Sequence, residues 1–342
     1  MGKNIQYGME DAALSAFSVF FTQTPSFLAD PRLMAGSKGK SNAQSLFGFH
    51  RIPSDNQIRD LLDAVAPEQV FPVFEEILQV LEQQGQLEDF RSVADTLLMA
   101  IDGTEYFSSG QIHCSNCSTR MLKSGETHYF HSVITPVIVC PGQAHVIPLV
   151  PQFIVPQDGH DKQDCENAAA KRWLAQQGAR LSALNVTVLG DDLYCHQPLC
   201  QQLLGQQFNF ILVCRPESHT TLYEHLEGMD LPMVTTKRWT GKVEETYTYR
   251  YLNGVPLRAS KDALWVNWCE VTVTRPDGKV TDKNSFATNH ILNNENVQRW
   301  FWQDGHAGRW RTRITTRSRL RATTWNTISG TGNSTSPRYL RP

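Results

Sequence analysis

Up to about residue 95 the apolar residues recur at helical spacing. Met9-Glu10-Asp11 leads into a run rich in Ala, Leu and Phe, and Pro67-Glu68 opens a stretch carrying Val70, Phe71, Phe74, Ile77, Leu78 and Leu81. The pattern predicts a small helical N-terminal domain over 1–95. Within it, Ser54 or Asp55 is placed to cap a helix that carries Arg59, because a short side-chain oxygen can accept from the unsatisfied N–H groups of a first helical turn.

After residue 95 the period changes. Thr96-Leu97-Leu98-Met99-Ala100-Ile101 is a short continuous apolar run ending at Asp102-Gly103, as expected of a buried strand that delivers an acid at its C-terminal edge. Asn185-Val186-Thr187-Val188-Leu189-Gly190 repeats the pattern and ends at Asp191-Asp192. Phe208 to Val213 is a third such run, preceded by a helix-like stretch over 197–204. Strands alternating with helices predict an α/β sheet with parallel pairs. Residues 234–288 instead alternate apolar and polar positions, with aromatics and a Pro276-Asp277-Gly278 turn, and predict an antiparallel β segment inserted into the core or appended to it.

Composition narrows the class. A chain of 342 residues, 40% hydrophobic and 19% charged, can bury one large core and a second small one, and has no apolar run long enough to span a membrane. The first residues show no charged and then apolar leader pattern, so a cytoplasmic location is expected. Eight cysteines, scattered apart from one Cys-x-x-Cys, favour free thiols or a metal site over a disulfide framework. A net charge of −2 argues against broad phosphate binding, which needs local clusters of Lys and Arg. Residues 1–95 hold seven of the 32 basic and thirteen of the 34 acidic side chains, and the basic excess lies in the C-terminal tail.

Two acids at the ends of two buried strands suit divalent-metal chemistry. Cleaving a phosphodiester requires neutralising the attacking and leaving oxygens, which two ions about 3.5–4 Å apart can do. Magnesium prefers carboxylate oxygen, so Asp102 and Asp191 are the candidate ligands, and they converge if their strands are neighbours. Asp192 is the alternative to Asp191; successive strand residues face opposite ways, so only one of them can face Asp102. The ordinary structural alternative is an Asp that ends a strand to start a turn.

Further strings extend this pattern. Ile101-Asp102-Gly103-Thr104-Glu105-Tyr106-Phe107-Ser108-Ser109 is followed by Ala144 to Pro148, and then by Pro156-Gln157-Asp158-Gly159 with Lys162-Gln163-Asp164-Cys165-Glu166. After these come Leu189-Gly190-Asp191-Asp192-Leu193-Tyr194, Val255-Pro256-Leu257-Arg258, the Trp265 to Glu270 stretch and Asn284-Ser285-Phe286. In this order and spacing the chain resembles bacterial insertion-sequence DDE transposases over most of residues 8–300. The resemblance implies an RNase H-like mixed sheet with helices over 96–302, with the β-rich segment as an insertion. It implies a Mg²⁺- or Mn²⁺-dependent site that nicks DNA and transfers strands, with Asp102 and Asp191 as its first two acids. It also implies double-stranded DNA at transposon ends as partner, bound by a homodimer. On this reading the helix with Arg59 could contact DNA; an ordinary capped surface helix is the alternative.

The third acid of that family, a Glu on a C-terminal helix, has no counterpart here. From residue 305 onward there is no Asp, Glu or Lys, and Arg and Thr fill sixteen of thirty-eight positions. The genetic code offers a reason. The last base of the single Trp310 codon, joined to AG from Arg311, encodes Glu in the neighbouring frame, and Trp325 with Asn326 gives another. Read in that frame, 303–336 permits a chain beginning Gly-Arg-Ala-Arg-Trp-Lys-Met-Glu, as the family has it. Residues 303–342 are therefore read as an aberrant tail, shifted by one nucleotide and expected to be disordered, which makes this form catalytically incomplete. A genuine basic DNA-binding tail is the alternative. Two further readings stand beside the enzyme: a non-catalytic DNA-binding regulator of related elements, and ribosomal frameshifting that yields both forms.

Finally, Cys114-x-x-Cys117 followed by His128-x-x-His131 has a spacing that a tetrahedral Zn²⁺ could use, with His113 as a further candidate and free surface residues as the alternative. His219, after the third apolar run, could lie near the acids or be structural.

Overall fold

The computed structural model describes residues 7–24, 26–156 and 165–301, as a mixed α/β chain built on a large mixed sheet. Four helices come first: α1 (Met9–Phe21), α2 (Ala29–Ala35), α3 (Ser37–Ser45) and α4 (Asp55–Leu62). The start of α4 is the cap the sequence predicts. Ser54 Oγ accepts from Gln57 N, and Gln57 Oε1 accepts from Ser54 N at 2.9 Å. Arg59 ion-pairs with Asp55 one turn back at 3.5 Å. Met34, Ala43, Phe47 and Phe49 form a separate small core. Buried Asp30 joins α2 to α1 by accepting from Ser18 Oγ at 2.9 Å and Thr24 Oγ1 at 3.1 Å. The next helix, α5 (Pro72–Gln83), belongs to the main body: Leu78 enters the large core, and Glu82 ion-pairs with Arg180.

The strands are, in chain order, β1 (Leu97–Ala100), β2 (Gly103–Ser109), β3 (Ser118–Met121), β4 (Thr127–Ile134), β5 (Val137–Val139), β6 (Val146–Pro148) and β7 (Gln152–Ile154). After α6 (Glu166–Ser182) come β8 (Val186–Gly190), α7 (Gln197–Gly205), β9 (Asn209–Val213) and α8 (Thr220–Leu226). They are followed by β10 (Met233–Trp239), β11 (Glu244–Pro256), β12 (Trp265–Thr274), β13 (Val280–Thr288) and α9 (Val297–Phe301). Nine strands make one sheet in the order β10-β11-β12-β13-β9-β8-β1-β5-β6. In it, β6, β5 and β1 are an antiparallel meander, whereas β8 and β9 run parallel to β1. The β-rich segment does not form a body of its own. It continues the same sheet, because β13 pairs antiparallel with β9 from Phe286 opposite Val213 to Thr288 opposite Ile211.

Alternation along the central strands explains their continuous apolar runs. Leu97, Met99, Val186, Val188, Phe210 and Leu212 face one core, while Leu98, Ala100, Leu189, Ile211 and Val213 face the other. The first core is filled by α6 through Ala169, Ala170, Trp173 and Leu174, and by α7 through Leu199 and Leu203. Trp173 Nε1–H donates to the Val150 carbonyl at 2.7 Å, so the buried indole keeps its hydrogen bond. The second core takes Val297, Trp300 and Phe301 of α9. A separate sheet, β2-β4-β3 with β7 on β4, rises from the end of β1 and holds the Cys-x-x-Cys segment. The sequence does not predict this second sheet, nor α6. Among the described residues no helix is long and apolar enough to cross a membrane.

Candidate functional site

The two acids sit side by side. In the parallel β1–β8 ladder Ala100 is opposite Leu189, and Ile101 N donates to the Leu189 carbonyl at 2.9 Å, which continues the register past the strand ends. Asp102 and Asp191 therefore leave adjacent strands at the same level of one C-terminal edge. Both are half-buried. Asp191 Oδ1 also accepts from Leu193 N at 2.9 Å, an Asx-type turn that pins its carboxylate.

A third carboxylate stands at this edge that the sequence does not single out. Glu166, the first residue of α6, accepts on Oε1 from Gly103 N at 2.9 Å and from the Tyr194 hydroxyl at 2.5 Å. Gly103 is what permits the approach, since a Cβ there would lie 2.3 Å from Glu166 Cδ and Oε2. Tyr194 reports the local field. Its hydroxyl is held well above its ordinary value by burial first, then by Glu166, and then by Asp102 and Asp191. The signal in the sequence is an acid opening an Ala-rich run, Glu166-Asn167-Ala168-Ala169-Ala170, where a helix N-terminus favours negative charge. Asp102, Glu166 and Asp191 do not all come within 4.8 Å of one another.

Asp192 is turned elsewhere. Its Oδ1 accepts from Arg215 N at 2.7 Å and lies 3.4 Å from His219 Nε2, and its Oδ2 accepts from Ser218 Oγ. The neighbouring acids thus serve different surroundings: Asp191 the edge beside Asp102, and Asp192 the loop that enters α8. His219 does lie near an acid, but that acid is Asp192.

The Cys-x-x-Cys segment forms a compact cluster in the second sheet. Cys114 Sγ and Cys117 Sγ are 3.8 Å apart, and each is 3.4 Å from His131 Nε2. Bond lengths of about 2.3 Å to sulfur and about 2.0–2.1 Å to nitrogen around a tetrahedral ion require separations of about 3.8 and 3.5 Å. The three side chains are thus already at metal-binding distances. Cys114 N donates to Cys117 Sγ at 3.3 Å, which turns the loop around that sulfur. Burial holds the His131 imidazole below its ordinary value and so in the neutral, ligating form.

The expected partner His128 is not part of this group. His128 and His131 are three apart on β4, and alternation on a strand sends them to opposite faces. His128 Nδ1 lies 3.4 Å from the Arg120 guanidinium, which pairs with Glu105. His113 stacks on Tyr129 with ring centroids 4.3 Å apart and is not one of the clustered ligands either.

Compared with protein-family models and with curated proteins, the chain gives no match. The proposed lost glutamate across Trp310 and Arg311 lies outside the described residues.

Proposed function

We propose that the chain is a DNA transposase of the insertion-sequence DDE type, with Asp102 and Asp191 as two of its catalytic acids. The observation that carries this reading is the register of β1 with β8, which sets both carboxylates at one sheet edge. The order β6-β5-β1-β8-β9, a meander followed by two strands parallel to the first, supports an RNase H-like core. Hard carboxylate oxygens on adjacent strand ends are a donor set suited to Mg²⁺ or Mn²⁺. Such an ion, when bound, activates water or a 3′-hydroxyl and neutralises charge on the phosphate. Asp102 and Asp191 hold the charge that recruits it. Glu166 acts from behind them, fixing the Gly103 amide that follows Asp102 and the Tyr194 ring that follows Asp191. The cluster of Cys114, Cys117 and His131 binds zinc and stiffens the second sheet. The partner is double-stranded DNA at the element ends, bound by a homodimer.

The tail supports a catalytically incomplete form, because the Arg- and Thr-rich sequence supplies no third acid. The same feature favours a second reading, in which this form binds element ends without cutting them. The test compares this chain with one restored to the neighbouring frame after residue 303. The restored chain nicks terminal-repeat DNA in Mg²⁺, and this chain binds it in gel shifts without nicking. Nicking by this chain, or none by the restored one, sinks the proposal.

A further inference from the structure

Behind the acid edge lies a second Cys/His group that the DNA-cutting reading does not use. Cys195 follows the turn after β8, Cys214 directly follows β9, and His219 precedes α8. All three are buried, and one ligand atom of each lies within 4.8 Å of the other two. Both thiols are free. The His219 side chain is only 6% exposed, and its Nε2 is buried without a well-directed hydrogen bond, 3.4 Å from Asp192 Oδ1. Asp192 is itself held by Arg215 N and Ser218 Oγ.

We propose that Cys195, Cys214 and His219 bind a transition-metal ion, with zinc the fitting one, and that Asp192 is the carboxylate that orients the histidine. Two thiolates and an imidazole are the donors that a borderline-soft ion selects over Mg²⁺. A ligating histidine ordinarily gives its other ring N–H to a carboxylate, and Asp192 stands at that position. With Asp192 on Nε2, Nδ1 is the ligating atom. Binding displaces the thiol protons to solvent, and each sulfur forms one bond to the ion. The ion would join the end of β9 and the entry to α8 to the loop that begins at Asp191. Its place in the fold makes it a clamp on the candidate catalytic edge, although the site does not depend on that edge cutting DNA.

The test uses the full chain with the other thiol pair removed (Cys114→Ser, Cys117→Ser), purified under reductant and titrated with Co²⁺. The expected result is one cobalt per chain with thiolate-to-cobalt absorption. That absorption is lost in Cys195→Ser and Cys214→Ser, lost in His219→Ala, and kept in His219→Cys, which restores a ligand. Asp192→Asn binds cobalt about 10–100-fold more weakly, the usual effect of losing such an orienting partner. Absence of thiolate–cobalt absorption in a chain whose circular dichroism is native overturns the proposal. Because Cys114 and Cys117 are already absent, that outcome does not depend on whether their cluster with His131 holds zinc.

Discussion

Removing the Glu166 carboxylate tests whether the acid edge is built as described. Glu166→Ala leaves Gly103 N–H and the Tyr194 hydroxyl without their acceptor. Hydrogen bonds to a charged acceptor contribute roughly 1.5–3 kcal/mol each, and these are half-buried, so the pair is worth about 2–4 kcal/mol. Glu166→Gln keeps a carbonyl oxygen in place and costs about 1 kcal/mol, the difference between a charged and a neutral acceptor. Gly103→Ala gives the same loss by another route, since its Cβ would stand 2.3 Å from Glu166 Cδ and displace the carboxylate. Once Glu166 is Ala, Gly103→Ala has little left to displace. Urea unfolding of the wild type, both single variants and the double variant therefore gives a coupling energy of at least about 1.5 kcal/mol, within the range for residues in contact. Additive losses would refute the contact and with it the role of Glu166 as the residue behind the acids.

Two further predictions concern metal and pH. Cys117→Ser and His131→Ala each leave the chain with one zinc fewer by elemental analysis, whereas His128→Ala retains it; loss in His128→Ala would contradict the assignment of facing sides on β4. His290 is lowered to about 4 by burial, with Nε2 on Thr187 Oγ1 at 3.0 Å and its ring stacked on Trp300 at 3.8 Å. Its folded value is below its unfolded one, so its contribution is full above about pH 6.5 and is lost as pH falls towards 4. The loss is about 3 kcal/mol at 1.36 kcal/mol per unit. His290→Gln removes this slope from the urea midpoint measured between pH 4 and 6.5, and an unchanged slope would refute the buried, neutral state.

The central strands were legible in the sequence because both their faces are covered. Leu97 to Ala100 and Val186 to Gly190 read as continuous apolar runs, and the acid following each marks where the strand leaves the core. The choice of Asp191 over Asp192 beside Asp102 was open in the sequence, and the two side chains diverge in the turn after β8, where Asp191 accepts from Leu193 N and Asp192 from Arg215 N and Ser218 Oγ. The cluster of Cys114, Cys117 and His131 was legible only in part. Cys-x-x-Cys is a local turn and survives translation into structure, but choosing between histidines needs the period of β4, and His-x-x-His reads as one face only on a helix. Glu166 was hidden because its contact with Gly103 spans 63 residues, and no local pattern encodes an approach between a helix N-terminus and a distant strand. The group of Cys195, Cys214 and His219 was hidden for the same reason: β9 brings together residues that no short motif joins.

The claim that Asp102 and Asp191 form one catalytic edge is tested most directly in the frame-restored chain. Nicking of terminal-repeat DNA in Mg²⁺ is measured for Asp102→Asn, Asp191→Asn and the double variant, with Asp192→Asn as the comparison. The account predicts that each of the first two falls to the no-enzyme background, that the double variant is no worse, and that Asp192→Asn still nicks. Retained nicking in Asp102→Asn or Asp191→Asn, or loss confined to Asp192→Asn, would contradict it.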